Sequence, residues 1–372
     1  MVETRIVFLT QVVDADHPVL AQTLDMVRAL AARCDEVVVV CDRLGRHDLP
    51  ANVTFRTFGS RTRLGRGLRF QRAVLGSVAR GRPDAVLAHM VPLFLLLAAP
   101  AARLRHVPLL LWYTHWHAGR SLRAATRLAD AVLSVDARSF PLPTPKLVAT
   151  GHAIDVETFR PLDGATVDPD GPLRLRAIGR TARWKGFETL LGAVRAAVAR
   201  GVTADVEIRG PSTTEDERRH RAELAAAVDA SPLLRGRVQI LEAVPRERLP
   251  ELLARADAVV SPTQPGPNDA LDKAVLEAAA CAVPVLSSNA ALAPLLEGLP
   301  LRLTFPPRDA AALGELIVSL AGADPRDREE TGRELRRRVA AAHSLETWGD
   351  RVVEVVRDLA RPGRTGAGRP RA

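Results

Sequence analysis

The stretch GRTARWKGFETLLGA, which begins at residue 179, places Lys185 five residues after Arg180. Lysine is rare in this chain, with three lysines among 52 basic residues. Arginine offers a bidentate fork and lysine a compact point charge, so the pair suits an anion with several oxygens, such as a diphosphate. The alternative is a surface arginine beside a lysine at a helix start, which the scarcity of lysine disfavours.

A second stretch, SPTQPGPNDALDKAVLEAAACAVPVLSSN, predicts a Gly/Pro loop followed by a helix over about 270–281. The first turn of a helix attracts anions through its free N–H groups and dipole. Lys273 in that turn opposes the dipole, which is easier to explain if an anion lies between them. Asp269 can cap this helix. Glu277 lies among alanines and leucines, where its carboxylate needs partners such as ribose hydroxyls; a solvated glutamate is the alternative.

The elements that must position these groups are apolar β-rich runs alternating with helical patterns. The runs are RIVFLTQVV, EVVVVCD, VTFRTF, AVLAHM, PLLLWYTH, AVLSVD and KLVATGHAI, then LRLRAIG, DVEIRG, VQILEAV, AVVSPT and VPVLSS. Near-continuous apolar strands separated by helices predict parallel sheets covered on both faces. The predicted fold class is therefore α/β, with two tandem Rossmann-like domains facing a central cleft where ligands bind at the strands' carboxyl ends.

The segment RPLDGATVDPDGP, 160–172, separates the two series of strands because it is rich in proline, glycine and aspartate. We therefore expect one domain over residues 1–165 and a second over 166–345. A closing helix is expected at 346–360. The tail 361–372 has no apolar periodicity and is expected to be disordered.

Two of these stretches resemble the motifs of retaining glycosyltransferase family 4. GRTARWKGFETLLGA resembles the GR(x4)KG segment, and DALDKAVLEAAACAVPVLSS resembles the E(x7)E segment that A(x)A(x)G(x)PV usually follows. Their order and their spacing of about ninety residues also agree with the family. The resemblance covers most of the chain and implies a GT-B fold, a nucleotide-sugar donor and transfer with retention. It implies no catalytic metal and no cofactor other than the nucleotide-sugar co-substrate.

The resemblance also implies roles for single residues. Arg180 and Lys185 would hold the donor diphosphate and offset charge on the leaving group, and Lys273 joins them from its place in the helix's first turn. Glu277 would accept the ribose hydroxyls, and Asp269 stands at the position of the first acid. The first domain would bind the acceptor and the second the nucleotide sugar.

The sequence departs from the family at four places. Asp269 is one methylene shorter than the usual glutamate, and Ala282 replaces the usual glycine. The family's NG(V/I)D segment is HAID here, with Ala153 in place of glycine. TQVVDADHP replaces the glycine-rich first loop. The contacts on the sugar side therefore follow less directly from the resemblance than the diphosphate site does.

In TQVVDADHP, Asp14 and Asp16 form a DxD, which in GT-A transferases binds a metal. The tandem pattern does not fit that fold, so we expect no metal site. Gln11, Asp14 and Asp16, in the loop after the first strand, could instead line the acceptor side of the cleft. LLLWYTHWHAGR resembles the family's T(x)H region, in which a histidine lies near the donor sugar. His115 is therefore a candidate catalytic residue, with a packed core histidine as the alternative.

Composition excludes several classes of protein. The formal charge of +9 and pI near 10.6 suggest a nucleic-acid partner, but aromatic content is 4% and no zinc-finger spacing occurs, so we expect none. An anionic substrate or membrane surface explains the charge equally well. The three cysteines make no CxxC pair, which argues against a zinc site or disulfide framework. The start lacks a signal-peptide pattern, so a cytoplasmic protein is expected.

The segment RTRLGRGLRFQRAVLGSVARGR, 61–82, has seven arginines and no acid. It predicts a basic amphipathic helix. The apolar stripe would be Leu64, Leu68, Leu75 and Val78, and the basic positions Arg66, Arg69 and Arg72. A core-facing helix with a solvated basic face is one interpretation, and docking to an anionic membrane is the other.

Together these features predict a cytoplasmic, metal-independent glycosyltransferase, or one peripheral at the inner face of the membrane. It would move a hexose from a nucleotide sugar to the hydroxyl of a glycan or lipid-linked acceptor, as in cell-envelope polysaccharide synthesis. Two alternatives remain open. A GT-B-fold sugar-nucleotide epimerase would share the cleft and need no acceptor, and a non-catalytic nucleotide-sugar-binding subunit would explain the altered loops.

Overall fold

The structure is a computed structural model that describes residues 4–17, 20–115, 117–162, 171–264 and 271–360. Three of the predictions made above fall outside these ranges: Asp269, the domain boundary near residue 165, and the disordered tail 361–372. They stay predictions.

The described part of the chain contains twelve β-strands and twelve α-helices, which alternate for most of its length. The strands are β1 (Arg5–Val13), β2 (Glu36–Leu44), β3 (Val53–Thr57), β4 (Ala85–His89), β5 (Leu109–Trp112), β6 (Ala131–Ser134), β7 (Leu147–Ala149), β8 (Leu173–Ile178), β9 (Ala204–Arg209), β10 (Val238–Leu241), β11 (Ala258–Ser261) and β12 (Val285–Ser287). The helices are α1 (Gln22–Ala31), α2 (Arg63–Ala79), α3 (Pro92–Leu104), α4 (Arg120–Leu128), α5 (Phe187–Ala199), α6 (Glu215–Asp229), α7 (Leu249–Ala254), α8 (Lys273–Ala280), α9 (Ala293–Leu296), α10 (Ala310–Ala321), α11 (Pro325–His343) and α12 (Leu345–Ala360).

The strands form two parallel sheets, which confirms the predicted α/β class. The seven-stranded sheet has the order β3-β2-β1-β4-β5-β6-β7, and the five-stranded sheet has the order β10-β9-β8-β11-β12. Strand order reverses beside β1 in the first sheet and beside β8 in the second. Ligands of open α/β sheets bind at such switch points, outside the carboxyl ends of the strands. The loops after β1, β4, β8 and β11 are therefore the places to look for a site.

The chain divides into two compact units. One comprises the chain up to Ala153 together with the segment that begins at Leu345, and the other comprises Ile154–Ser344. Two separate segments of the chain therefore form the first unit, and α12 belongs to the second of them. This helix packs on α1, where Trp348 is fully buried and Arg33 Nε lies 2.7 Å from Asp350 Oδ1.

On one face of the seven-stranded sheet, α2, α3 and α4 cover a single apolar core. Three rings meet within it: Phe58, Phe70 and Phe94 have centroids 5.1 to 5.4 Å apart. In the described ranges, no helix is both long enough and apolar enough to span a bilayer.

Helix α2 forms where the sequence predicts it, but of the four residues in the predicted apolar stripe only Val78 is buried. Its buried residues are Phe70, Ala73, Val74, Ser77 and Val78. Leu64, Leu68 and Leu75 are exposed by 76%, 59% and 51%. The single aromatic ring of this helix occupies the core, so the face that carries Phe70 turns inward and the face with three leucines turns to solvent.

Ala153 and Ala282, which stand where the family has glycine, both have left-handed backbones, with φ of 56° and 58°. Ala282 follows the last turn of α8, a position that glycine usually occupies because a Cβ is unfavourable there. Helix α11 packs closely on this turn, since a Cβ on Gly332 would lie 1.9 Å from the Ala282 carbonyl oxygen.

We predict that Ala282→Gly stabilises the protein by about 0.5–1 kcal/mol. Relief of the left-handed Cβ strain, about 1–2 kcal/mol, exceeds the entropy that glycine adds to the unfolded chain. Urea unfolding should show a higher midpoint with an unchanged slope. The matched control, Ala226→Gly on the exposed side of α6, should lose about 1 kcal/mol. Equal losses for both variants would show that Ala282 carries no strain.

Candidate functional site

The loop after β8 carries Arg180 and Lys185 in the second unit, next to the strand-order switch. It ends in a single 3-10 turn, Arg183–Lys185, and then Gly186. Gly186 has φ of 67°, and a Cβ there would lie 2.1 Å from the Pro262 carbonyl oxygen. Only glycine therefore lets this loop lie against the loop after β11, which explains the KG pair in the sequence.

Lys185 is buried and bonds directly to the loop after β11. Its Nζ lies 2.6 Å from Asp272 Oδ2, and the same oxygen accepts a hydrogen bond of 3.1 Å from Ser261 Oγ. The side chain passes over Gly179, where a Cβ would lie 2.8 Å from Lys185 Cε. One buried ion pair therefore joins the carboxyl ends of β8 and β11.

Asp272 is also the N-cap of α8, where its Oδ1 accepts a hydrogen bond of 3.3 Å from the Ala274 N–H. Burial raises the pKa of this carboxyl, but the charge of Lys185 and the hydrogen bonds from Lys185, Ser261 and Ala274 outweigh burial and hold the pKa below its ordinary value. The sequence analysis placed the start of this helix near residue 270, but α8 begins at Lys273 and Asp272 is its N-cap.

Glu277 is buried, which rules out a solvated glutamate. Its Oε1 lies 2.9 Å from Lys273 Nζ and 3.1 Å from Arg246 Nη1. Arg246 lies over the ring of Phe159 at 5.4 Å. Burial raises the pKa of Glu277, but the charges of Lys273 and Arg246 lower it further than burial raises it. The sequence analysis expected ribose hydroxyls to be the partners of this carboxylate. In the structure, two cations of the chain contact it.

Arg180 is half-exposed and pairs with a buried acid, with Nη1 3.1 Å from Glu217 Oε1. Glu217 belongs to the capping box of α6, where its carboxylate also accepts from the Thr213 hydroxyl at 2.7 Å. The indole of Trp184 lies close to both cations, with its centroid 6.0 Å from the Arg180 guanidinium carbon and 4.9 Å from Lys185 Nζ. The structure thus brings the two predicted cations to one partly exposed aromatic ring.

Several of these residues were missed by sequence reasoning. Asp272, Glu217 and Arg246 each pair with a predicted residue, but a charge in a loop carries no sign of its partner. Trp184, one of four tryptophans in the chain, lies between the two cations of the motif. That position was the one signal that could have identified it.

His115 lies in the first unit, three residues beyond the end of β5. It is exposed, which rules out the packed core histidine. Its Nδ1 accepts a hydrogen bond of 3.1 Å from the His117 N–H, and its ring meets the edge of Tyr113 at 6.3 Å. The predicted strand PLLLWYTH ends at Trp112, so His115 lies in the loop that follows β5 rather than in the strand.

Gln11, Asp14 and Asp16 occupy the end of β1 and the loop that follows it. Gln11 is exposed, and Asp14 Oδ1 accepts a hydrogen bond of 3.1 Å from the Asp16 N–H. Asp16 pairs with Arg46 at 2.6 Å, and this hydrogen bond lowers the pKa of its carboxyl. Within the described ranges, no group of three or more His, Cys, Asp or Glu side chains could hold a metal ion.

His89, which the sequence analysis did not select, ends β4 beside this loop. Its Nδ1 lies 3.2 Å from Thr10 Oγ1, and its ring stacks on Phe8 at 5.5 Å. Burial lowers its pKa to about 4, so the imidazole is neutral at pH 7. The available signal was a histidine closing the apolar strand AVLAH, because the last residue of a parallel strand lies at the edge where ligands bind.

Two family models match separate segments of the chain. The model described as Glycosyl transferases group 1 matches residues 172–323, which carry Arg180, Lys185 and Glu277. The model described as Glycosyltransferase Family 4 matches residues 21–140, which carry His115. A comparison with curated proteins finds no match.

Several solved structures share the fold at low sequence identity. HepE from Anabaena, solved with UDP and glucose, has a TM-score of 0.74 at 18% identity, covering 95% of this chain and 100% of its own. Sucrose-phosphate synthase from Thermosynechococcus elongatus has a TM-score of 0.69 at 19% identity, with coverage of 96% and 99%. The UDP-forming α,α-trehalose-phosphate synthase from Burkholderia xenovorans, solved with glucose-6-phosphate, has a TM-score of 0.69 at 12% identity, with coverage of 95% and 100%.

The fold match extends over nearly the whole of this chain and of each neighbour, and at this identity it shows the fold alone. The family matches add the activity class, since each covers part of a different unit. Together, the two family matches and the two-sheet architecture identify the chain as a glycosyltransferase with the GT-B fold.

Proposed function

We propose that the enzyme transfers a hexose from a nucleoside-diphosphate sugar to an acceptor hydroxyl, with retention of anomeric configuration, in glycan or glycolipid synthesis. The observation that carries the proposal is that Lys185, Ser261 and the first turn of α8 already hold an anionic group, the carboxylate of Asp272. A cation, a hydroxyl and a helix-terminal amide are the donors that bind a phosphate. The site therefore has the chemistry of a diphosphate site.

In this proposal Arg180 and Lys185 offset the charge that develops on the departing diphosphate. Lys273 adds positive charge at the start of α8, and Glu277 accepts from the ribose when its cationic partners turn to the phosphates. Asp269 and His115 are the proposed groups at the donor sugar. Neighbouring structures were solved with UDP, UDP-glucose and glucose-6-phosphate, so we take UDP-glucose as the first donor to test and sugar phosphates among the first acceptors.

We predict that Arg180→Ala weakens nucleoside-diphosphate binding by about tenfold or more, because a hydrogen bond to a charged group contributes about 1.5–3 kcal/mol. Arg180 is half-exposed, and the threonine contacts of Glu217 remain, so the fold should persist. The matched control is Arg183→Ala, three residues along the same loop, whose guanidinium pairs with Glu223 at 2.9 Å. Calorimetric titration with UDP and with GDP measures the affinity of each variant for a nucleoside diphosphate. Equal affinities in both variants and the wild type would remove Arg180 from the site.

We predict that transfer continues in EDTA, because Arg180, Lys185 and the start of α8 supply the positive charge that a metal would otherwise supply. The carboxylate of Asp16 is already bonded to Arg46. The measurement is the rate of glycoside formation with and without chelator, with the configuration of the product determined by NMR. Strict dependence on magnesium or manganese would restore Asp14 and Asp16 as metal ligands, and epimerised donor without glycoside would identify an epimerase.

We further propose that the first unit works at an anionic membrane surface, at its cytoplasmic face, on a lipid-linked acceptor. The support is the exposed face of α2, where Leu64, Leu68 and Leu75 project from a segment with seven arginines and no acid. Leu93, in the first turn of the adjoining α3, is also exposed by 51%. Burying a leucine contributes about 1.5–3 kcal/mol and each basic residue at an anionic surface about 1 kcal/mol, which together favour an interfacial helix.

We predict that the protein sediments with vesicles of phosphatidylserine and phosphatidylcholine at low salt, and that salt releases it. Leu64→Ser with Leu68→Ser, or glutamine at Arg66, Arg69 and Arg72, should reduce the bound fraction several-fold without changing diphosphate affinity. Leu104→Ser is the matched control, because this leucine at the end of α3 is exposed by 79%, close to the 76% of Leu64. If the wild type does not sediment even at low salt, α2 is a solvated helix and the acceptor is soluble.

A further inference from the structure

The carboxylate of Asp272 occupies an anion position that the proposed donor also needs. Three donors converge on this carboxylate: Lys185 Nζ at 2.6 Å, Ser261 Oγ at 3.1 Å and the Ala274 N–H at 3.3 Å. In the sequence, Asp272 stands three residues after Asp269, inside the E(x7)E-like segment and immediately before α8. One carboxylate thus satisfies both the lysine of the first motif and the helix start of the second.

The position is built for an anion rather than occupied by chance. Lys185 has 10% of its side chain exposed and Asp272 has 13%, so neither charge is balanced by bulk water. A buried ammonium with no counter-ion is strongly unfavourable, which means that some anion must always accompany Lys185. Asp272 provides that anion within the chain, and a second anion at Lys185 would meet its negative charge at close range.

We propose that Asp272 is an internal competitor of the donor phosphate: its carboxylate holds the anion position on Lys185, and a diphosphate gains that position only when Asp272 gives it up. This inference rests on the proposed function. Two like charges on one ammonium repel each other at hydrogen-bond distance, so in this proposal the carboxylate moves off Lys185 as the phosphate binds. Asp272 thereby weakens binding of every ligand that carries the diphosphate, donor and product alike.

Competition by Asp272 has a kinetic consequence, because the donor and the leaving nucleoside diphosphate both carry the diphosphate that competes with its carboxylate. An effect common to both weakens ground-state binding without removing an interaction special to the transition state. The carboxylate of Asp272 should therefore raise both the KM for donor and the inhibition constant of the product, relative to an enzyme without it, while kcat is retained. Asp272 is a residue that sets affinity and product release, and it needs no contact with the reacting atoms.

The first test is Asp272→Asn, which keeps the shape and the N-capping ability and removes the charge. Calorimetry with inorganic pyrophosphate and with UDP should show affinity at least tenfold higher than in the wild type, equivalent to about 1.4 kcal/mol. The KM for UDP-sugar and the product inhibition constant should fall by similar factors. The matched control is Asp324→Asn, which alters the exposed N-cap of α11 and should bind as the wild type does.

A second variant guards against misfolding, because Asp272→Asn leaves the buried Lys185 without its carboxylate. Lys185→Met with Asp272→Asn removes both charges, which a packed interior tolerates. This double variant should be at least as stable as Asp272→Asn and should bind pyrophosphate more weakly than the wild type. Pyrophosphate should also raise the melting temperature of Asp272→Asn more than that of the wild type, a readout that survives partial destabilisation.

The outcomes separate the inference from the function it rests on. If the wild type binds UDP and Asp272→Asn binds both UDP and pyrophosphate no more tightly, Asp272 is only a structural partner of Lys185 and the inference is wrong. If neither the wild type nor Asp272→Asn binds any nucleoside diphosphate, the proposed donor site is wrong as well. Tighter binding in Asp272→Asn alone, with Asp324→Asn unchanged, supports both.

Discussion

A buried ammonium needs a counter-ion, and the site in the second unit is organised around that requirement. Lys185 reaches Asp272 only because Gly179 leaves room for its methylene chain and Gly186 allows the two loops to touch. Asp272 in turn caps α8, so the same carboxylate sets where that helix begins. Backbone geometry, helix capping and charge balance thus converge on a single ion pair at the switch between β8 and β11.

The neighbouring cations are also paired with acids of the chain. Arg180 pairs with Glu217, and Lys273 pairs with Glu277, both acids being almost fully buried. The cations of the proposed diphosphate site are therefore balanced by acids of the chain itself. In this proposal, binding a diphosphate is an exchange of partners, so donor affinity depends on how readily carboxylates release their cations as well as on the number of cations.

The sequence predicted the features that depend on a local pattern of residues, and it did not predict which side chains pair with each other. Apolar runs bounded by glycine and proline specify the strands, because a parallel strand is buried on both faces, and the motif cations follow from their place at strand ends. The partners of Lys185 and Glu277 come from other loops, which no local pattern encodes. On α2, leucine spacing suggested the inner face, but Phe70 fits the core beside Phe58 and Phe94 and turns Leu64 outward.

The chain's three lysines make the central claim directly measurable. Selective 13C labelling of the lysine ε-carbons yields three NMR signals, assignable by single substitution. Lys146 is an internal reference, since its Nζ donates to three backbone carbonyls at the end of α4, including Ala129 O at 2.8 Å. Titration with UDP should shift the Lys185 and Lys273 signals along one saturation curve while Lys146 stays fixed. Saturable binding of UDP with an unmoved Lys185 signal would contradict a donor diphosphate at this site.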